Sequence, residues 1–155
     1  MLFRSLYAMG TEIHRYESQT DIAAKAQSYG MPGDAVDGMD VLAVEAAMRK
    51  AVDHARAGNG PYLLEFQTYR FRAHSMYDAE LYRNKLEVEE WKEHGPIKNF
   101  QGRMREWKCL TADDVKSMEA AIGREIDEAV AFAEASQWEP LEDLTKDVYA
   151  PSASR

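Results

Sequence analysis

Cysteine, cationic charge and long apolar runs are all scarce in this sequence. Cys109 is the only cysteine among 155 residues, which excludes an internal disulfide framework and a multi-cysteine metal site. Acidic residues outnumber basic ones by 27 to 19, which gives a net charge of −8 at pH 7. Because basic residues are what bind phosphates and anionic membranes, we expect neither nucleic acid nor a membrane as a partner. The lone thiol favours a reducing, cytoplasmic location.

No apolar stretch is longer than a few residues, far short of the roughly 18 that a membrane span needs. The first ten residues are apolar but short and contain Arg4, so they are not expected to form a signal peptide. What is present is typical of a globular chain, with 45% apolar and 30% charged residues. A chain of this length is expected to bury about two thirds of its unfolded surface around one core.

The first half of the chain predicts a strand–helix–strand unit. Asp40 is a good N-cap for a helix over 41–57, in which apolar residues recur every three or four positions. The segment 62–68 is bulky and mostly apolar at both odd and even positions, which is typical of a strand that is covered on both faces in a parallel sheet. The fold class is therefore α/β with a right-handed crossover. Three further elements are expected there, a strand at 2–9, a helix at 18–28 and a strand with a turn at 33–40.

The second half is predicted to be helical. Asn84 begins one helix, with Glu87 placed to complete a capping box. Thr111 and Asp114 begin a long helix over 112–136 that carries an apolar stripe. A helix at 97–107 lies between them, with three inward residues, Phe100, Met104 and Trp107. Four apolar residues suggest that the tail docks, namely Leu141, Leu144, Val148 and Tyr149.

An irregular, charged and aromatic segment at 70–82 is the candidate functional loop. It contains His74 just beyond the carboxyl end of the second predicted strand, which is where open α/β sheets bind ligands. Arg70 and Arg72 would supply positive charge to a phosphate-bearing ligand, and an imidazole there can donate or shuttle a proton. Spacing alone leaves open a surface loop whose histidine merely caps a chain end.

Two other features have simpler interpretations. The Gly-Asp pairs at 33–38 do not form a literal Gly-Asp-Gly motif, so we interpret them as a turn and a helix cap rather than a diphosphate–Mg²⁺ site. Cys109 has no nearby histidine in the sequence and is interpreted as a packing residue.

Five segments together resemble a known family: YAMGT at 7–11, VDGMD at 36–40, GPYLLEFQTYRFRAHSM at 60–76, YR at 82–83 and EPLEDL at 139–144. They look like the C-terminal half of the alpha subunit of the thiamin-diphosphate-dependent dehydrogenase component of 2-oxo acid dehydrogenase complexes. Among these complexes, the resemblance is strongest to the pyruvate type. The resemblance covers about residues 7–149. It implies a partial thiamin-diphosphate-binding fold, with a short parallel sheet, flanking helices and a helical C-terminal part. Residues 1–76 would be the C-terminal part of that α/β domain, and residues 77–155 its helical C-terminal region.

The resemblance also implies an activity and a site. The family decarboxylates a 2-oxo acid on thiamin diphosphate with Mg²⁺, and transfers the acyl group to the lipoyl groups of an acyltransferase. Its alpha subunit works in a tetramer with a beta subunit. His74 matches the catalytic loop histidine near the diphosphate, and Ser75 matches the neighbouring loop serine in the cofactor site. Tyr7 matches the tyrosine whose main-chain carbonyl ligates Mg²⁺, a cation that prefers oxygen.

The sequence departs from the family at three places. Arg4 and Ser5 stand where the family has an asparagine pair, Ala73 stands where it usually has glycine, and the Gly-Asp-Gly motif would lie upstream of Met1. We therefore expect a truncated reading frame with an incomplete metal site. The chain alone is expected to be inactive and to lack the strands that should flank the strand at 62–68. Open strand edges would then lead to self-association. Two alternatives remain open, a non-catalytic assembly module and a branched-chain or acetoin-type subunit.

Overall fold

The computed structural model describes residues 1–148 and separates two compact units, Met1–Cys109 and Leu110–Arg155. The division after residue 76 that the sequence suggested stays a prediction. In chain order, the first unit contains β1 (Leu2–Arg4), β2 (Tyr7–Ala8), β3 (Thr11–Glu12), α1 (Ile13–Tyr16), α2 (Lys25–Ser28), β4 (Gly33–Asp37), α3 (Val41–Arg56), β5 (Leu63–Gln67), α4 (Lys85–Glu93) and α5 (Pro96–Glu106). The described part of the second unit contains α6 (Ala112–Ala135) and a 3₁₀ helix at Leu141–Thr145.

A parallel sheet in the order β1–β5–β4 forms the core of the first unit, which confirms the α/β class. Along β5, Leu63 lies opposite Gly33 of β4, and Gln67 lies opposite Asp37. On the other side of β5, Glu65 lies opposite Leu2 of β1, and Gln67 lies opposite Arg4. The expectation that β5 lacks flanking strands is therefore wrong, because β5 is the central strand. The open edges belong to β1 and β4.

α3 covers one face of this sheet, as its apolar period predicted. The Asp40 carboxylate accepts hydrogen bonds from the backbone N–H of Leu42 at 3.0 Å and of Ala43 at 3.4 Å, so the predicted cap is confirmed. The buried cluster between helix and sheet consists of Val36, Ala51, Leu64 and Phe66. Burial of these side chains anchors the helix, since packing rather than propensity supplies most helical stability.

The predicted strand at 2–9 is interrupted. Leu6 and Met9 have φ values of 67° and 53°, in the left-handed region, which turns the chain into the β2–β3 hairpin after three residues of β1. The helix expected at 18–28 is likewise reduced to α2, which ends before Gly30 at φ 67°. The helix is therefore shortened at its beginning, whereas its end before Gly30 agrees with the prediction.

The helices α4 and α5 agree with prediction in extent but differ in two side chains. Asn84 caps α4 by accepting from the Leu86 N–H at 2.9 Å, whereas Glu87 does not complete a capping box and binds elsewhere. Trp107 was expected to point inward but is 54% exposed, because α5 ends at Glu106 and Trp107 is its C-cap. Cys109, expected to be a packing residue, is exposed after a turn with positive φ at Lys108.

The second unit begins with the predicted Thr111–Asp114 capping box, so the long helix α6 is confirmed. Its apolar stripe is exposed, with Ile122 and Ile126 more than half accessible, because no other layer among the described residues of this unit covers it. The prediction that the tail docks is wrong for three of its residues, Leu141, Leu144 and Val148, because all three are exposed. Its fourth residue, Tyr149, lies outside the described residues. Among residues 1–148, no helix combines the length and the apolarity that crossing a membrane requires.

Candidate functional site

The candidate site lies at the carboxyl edge of the sheet, where all three parallel strands end on the same side. Chain segments that follow β1, β4 and β5 meet there, and this is the edge at which open α/β sheets bind ligands. Gly38 allows the turn after β4 to approach β5 closely, since a Cβ at this position would lie 2.8 Å from the carbonyl oxygen of Gln67. The segment carrying His74 leaves β5 at this edge, as the sequence predicted.

The loop between β5 and α4 has no regular structure and is held together by the side chain of Arg83, which is 1% exposed. Its guanidinium donates to the carbonyl oxygens of Arg70 and Phe71, and forms an ion pair with Glu80. The guanidinium carbon also lies 5.6 Å from the centre of the Tyr69 ring. One arginine thus ties the start of the loop to its end, because its planar fork can serve several acceptors at once.

Asp78 holds the backbone at His74. One carboxylate oxygen accepts from the His74 N–H at 2.9 Å and from the Tyr82 hydroxyl at 2.7 Å. The other accepts from the Glu80 N–H at 2.8 Å. The Tyr82 hydroxyl in turn accepts from Arg70 Nη2 at 2.9 Å, and the same nitrogen donates to the Met9 carbonyl at 2.7 Å. This chain of hydrogen bonds connects His74 to the β2–β3 hairpin.

These donors shift the titration of Asp78. The Tyr82 hydroxyl first, then the backbone N–H groups of Glu80 and His74 and the charge of Arg70, lower the pKa of Asp78 to about 2. Each donor favours the ionised carboxylate over the protonated acid.

We predict that the loop loses order only in strong acid. Because the folded-state pKa of Asp78 is depressed, its stabilising effect is complete above its ordinary pKa of 3.8 and is lost as the pH falls toward about 2. The ¹⁵N resonance of the His74 amide should therefore titrate with a midpoint near 2 rather than near 4. Asp78→Asn should abolish this titration, whereas Asp113→Asn, at a carboxylate that is 96% exposed, should leave it unchanged. A midpoint near 4 in the unaltered chain would contradict the proposed hydrogen bonds.

The Tyr7 side chain is buried in an aromatic cluster at the base of the loop. Its hydroxyl donates to both carboxylate oxygens of Glu87, at 3.0 and 3.1 Å, and its ring packs against Tyr69 and Tyr82. Burial, together with the neighbouring Glu87 carboxylate, raises the pKa of the Tyr7 hydroxyl well above its ordinary value. The hydroxyl therefore stays protonated and structural, and only the main chain of Tyr7 is left for a ligand.

His74 and Ser75 are both exposed, at the start of the loop tip. The Ser75 carbonyl accepts from the Asp78 N–H at 3.2 Å, which closes a turn. No residue of the described chain forms a hydrogen bond with the His74 imidazole. An exposed imidazole can donate a hydrogen bond to an anionic oxygen or exchange a proton with a bound molecule.

Comparison with known proteins identifies the family of this chain. The family model "Dehydrogenase E1 component" matches residues 5–142, which include β4, β5 and the whole loop that follows β5, whereas β1 lies just before the match. The chain belongs to the dehydrogenase E1 component family. It is 40% identical over 143 residues to the pyruvate dehydrogenase E1 component subunit alpha of Rhizobium meliloti (strain 1021), covering 92% of this chain and 41% of that protein.

Two further members of the family have the same name and a similar coverage. The subunit of Porphyra purpurea is 36% identical, over 93% of this chain and 42% of that protein. The subunit of Zymomonas mobilis is 39% identical, over 92% of this chain and 40% of that protein. The chain thus spans about two fifths of the length of these E1 relatives.

The acidic side chains of this E1 chain do not make a metal site by themselves. Among residues 1–148, no group of three or more histidine, cysteine, aspartate or glutamate side chains is placed to hold a metal ion. Asp37, at the end of β4, accepts from the Met39 N–H at 2.8 Å, and Asp40 caps α3. The interpretation of this segment as a turn and a cap is therefore confirmed. A complete Mg²⁺–diphosphate site would therefore need ligands in addition to these two carboxylates.

Three charged residues of the first unit have roles that the sequence did not anticipate: Glu65, Arg83 and Glu87. Glu65 is fully buried in the middle of β5, where its carboxylate pairs with Arg4 and accepts from the Ala23 N–H at 2.9 Å. The sequence did contain a signal for Glu65, which is a carboxylate between apolar residues in a strand expected to be covered on both faces. Such a buried charge must have partners in the structure. Nothing in the local sequence identifies Arg83 or Glu87 in the same way.

Proposed function

We propose that this chain acts as the C-terminal part of a pyruvate-type E1 alpha subunit in oxidative decarboxylation of a 2-oxo acid. The observation that carries the proposal is the His74 imidazole, exposed at the carboxyl edge of the sheet on a loop whose backbone Asp78 holds. Membership of the E1 family gives this geometry its chemical meaning. The relatives named as pyruvate dehydrogenase subunits favour pyruvate over a branched-chain or acetoin-type substrate.

Thiamin diphosphate, when bound, would supply the electron sink that a 2-oxo acid needs in order to lose carbon dioxide. His74 would hold or move a proton at its exposed imidazole nitrogen and stabilise negative charge near the reacting centre. Ser75 would add a hydroxyl beside the diphosphate, and the Tyr7 main-chain carbonyl would contribute one oxygen to Mg²⁺. The remaining metal ligands would come from outside the described residues.

The partners in this proposal are a beta subunit and the lipoyl-bearing acyltransferase. Self-association is also expected, since the apolar stripe of α6 is exposed along its length. A reducing, cytoplasmic setting is proposed because Cys109 is free and exposed.

Titration with thiamin diphosphate and Mg²⁺ tests the site directly. The isolated chain should bind the cofactor only weakly, because residues 1–148 contain no cluster of acidic, histidine or cysteine side chains that could hold the metal ion. Isothermal titration that gives micromolar binding to the chain alone would overturn this expectation.

Adding a beta subunit and the N-terminal half of a related alpha subunit should restore pyruvate-dependent acylation of a lipoyl domain. In that assembly, His74→Ala should lower the rate by about a hundredfold or more, because a general acid–base group typically contributes about 10²–10⁴-fold. The control His14→Ala removes another exposed imidazole, paired with Glu12 in the first unit, and should leave the rate unchanged. An assembly that binds the cofactor but remains inactive would favour the non-catalytic module instead.

A further inference from the structure

A groove of about 790 Å³ runs along the outer edge of β4, opposite the side on which β4 pairs with β5. Every residue of β4 lines it, from Gly33 to Asp37. At a rise of about 3.3 Å per residue, five residues give the groove a length of about 16 Å. The groove is therefore long enough for one short extended segment laid beside β4.

The backbone of β4 presents unused hydrogen-bonding groups to this groove. The Leu63 N–H donates to the Pro32 carbonyl at 3.0 Å, and the Gly38 N–H donates to the Gln67 carbonyl at 2.8 Å. Because pairing alternates along a parallel ladder, the N–H and C=O groups of Gly33 and Ala35 point away from β5. No residue within 1–148 forms a hydrogen bond with these four groups.

Both walls of the groove carry small side chains, which leave room for one added strand between them. Ala43 and Ala47 of α3 form one wall, and Ala23 and Ala24, which precede α2, form part of the other. An added strand would place alternate side chains against the two walls, as strands do in a sheet covered on both faces. Apolar residues of small or medium size fit against such walls without displacing the alanines.

The charge of the groove is negative. Asp21, Asp34 and Asp37 line it, and of these only Asp34 has a cationic partner among the described residues, Lys50 at 2.7 Å. A second copy of the chain is therefore a poor occupant. Pairing β4 with another β4 would gather four aspartates in a two-stranded ladder of five residues, and like charges across strands destabilise pairing.

We propose that the β4 edge binds an extended peptide segment by strand addition, and that this segment carries apolar residues of small or medium size flanked by lysine or arginine. Backbone hydrogen bonds to Gly33 and Ala35 would supply affinity, and contacts with the two walls and the aspartates would supply specificity. This surface is separate from the His74 loop, so the inference does not depend on the proposed catalytic role.

The probe is the peptide acetyl-Lys-Val-Ala-Val-Lys-amide, titrated into the ¹⁵N-labelled full chain. Binding should shift the Gly33 and Ala35 amide resonances and slow their hydrogen exchange. The matched peptide acetyl-Glu-Val-Ala-Val-Glu-amide has the same shape and the opposite charge, and should bind about tenfold more weakly at low salt. The difference between the two should shrink as salt is added.

Two variants locate the binding surface. Ala35→Pro removes an outward N–H at an edge position, where sheets tolerate proline, and should weaken binding of the lysine peptide by about tenfold. Ala47→Met narrows the groove from the α3 wall without lowering helix propensity much, and should weaken binding similarly. Asp53→Asn, on the exposed surface of α3 outside the groove lining, should change nothing. Circular dichroism confirms that each variant is folded.

Equal binding of both peptides, or unchanged binding to the two groove variants, would overturn the proposal. So would sedimentation showing a dimer of the unaltered chain that Ala35→Pro dissociates, because a second copy would then occupy the edge.

Discussion

Replacing Glu65 by alanine should lower the free energy of unfolding by about 3 kcal/mol. The Glu65 side chain is fully buried at the centre of β5, the middle strand of the sheet. Its carboxylate forms an ion pair with Arg4 and accepts from the Ala23 N–H, so it connects β5 to β1 and to the segment before α2. The substitution removes all of these contacts together.

The size of the effect follows from what is left behind. Breaking a buried ion pair by deleting one partner typically costs 3–5 kcal/mol, because the remaining charge is desolvated and unpaired. The Arg4 side chain retains 17% exposure and can turn toward water, which places the expected loss at the lower end. Glu65→Gln should cost less than Glu65→Ala, since its amide oxygen can still accept from the Ala23 N–H.

Urea unfolding followed by circular dichroism measures the loss. Glu93→Ala is the matched control, because the Glu93 carboxylate is 70% exposed and pairs with Lys98 on the surface. An exposed pair of this kind contributes about 0–1 kcal/mol. If Glu65→Ala and Glu93→Ala destabilise equally, the Glu65 carboxylate is not an element of the core.

The sequence predicted most reliably those elements whose signals are local. Asp40 and Thr111 cap α3 and α6 through bonds to residues only two or three positions away, so both helices begin where expected. The parallel sheet followed from the apolar parity of β5 and the intervening helix. The interruption after β1 did not, because the positive φ values at Leu6 and Met9 occur at residues that give no turn signal.

The position of the candidate site could be predicted from the sequence, but the hydrogen bonds that hold its loop in place could not. His74 follows a predicted parallel strand, and the carboxyl-end rule places it at the ligand edge. The bond from Tyr7 to Glu87 joins residues 80 positions apart, and that from Arg70 to Met9 joins residues 61 apart. No periodicity or spacing encodes such pairs, because they depend on how distant segments meet in space. Glu87, assigned to a cap by local spacing, binds Tyr7 instead for this reason.

The loop that carries His74 should lose its structure when Arg83 is replaced by alanine. The guanidinium donates to two main-chain carbonyls, pairs with Glu80 and lies over the rings of Tyr69 and Tyr82. Hydrogen bonds to a charged group contribute about 1.5–3 kcal/mol each, but they are not additive within one network. We therefore expect a loss of about 2–3 kcal/mol, concentrated in this loop.

Hydrogen exchange resolved by residue distinguishes a local from a global effect. In Arg83→Ala, the His74 and Asp78 amides should lose their protection, whereas the Leu64 and Phe66 amides of β5 should keep most of theirs.

Arg83→Lys should fail to restore the loop, because a single ammonium cannot reproduce the planar fork that serves Arg70, Phe71 and Glu80. Arg49→Ala removes a surface arginine paired with Glu45 and should leave the loop protected. A lysine variant that protects the His74 amide fully would show that charge alone, and not the fork, organises the loop.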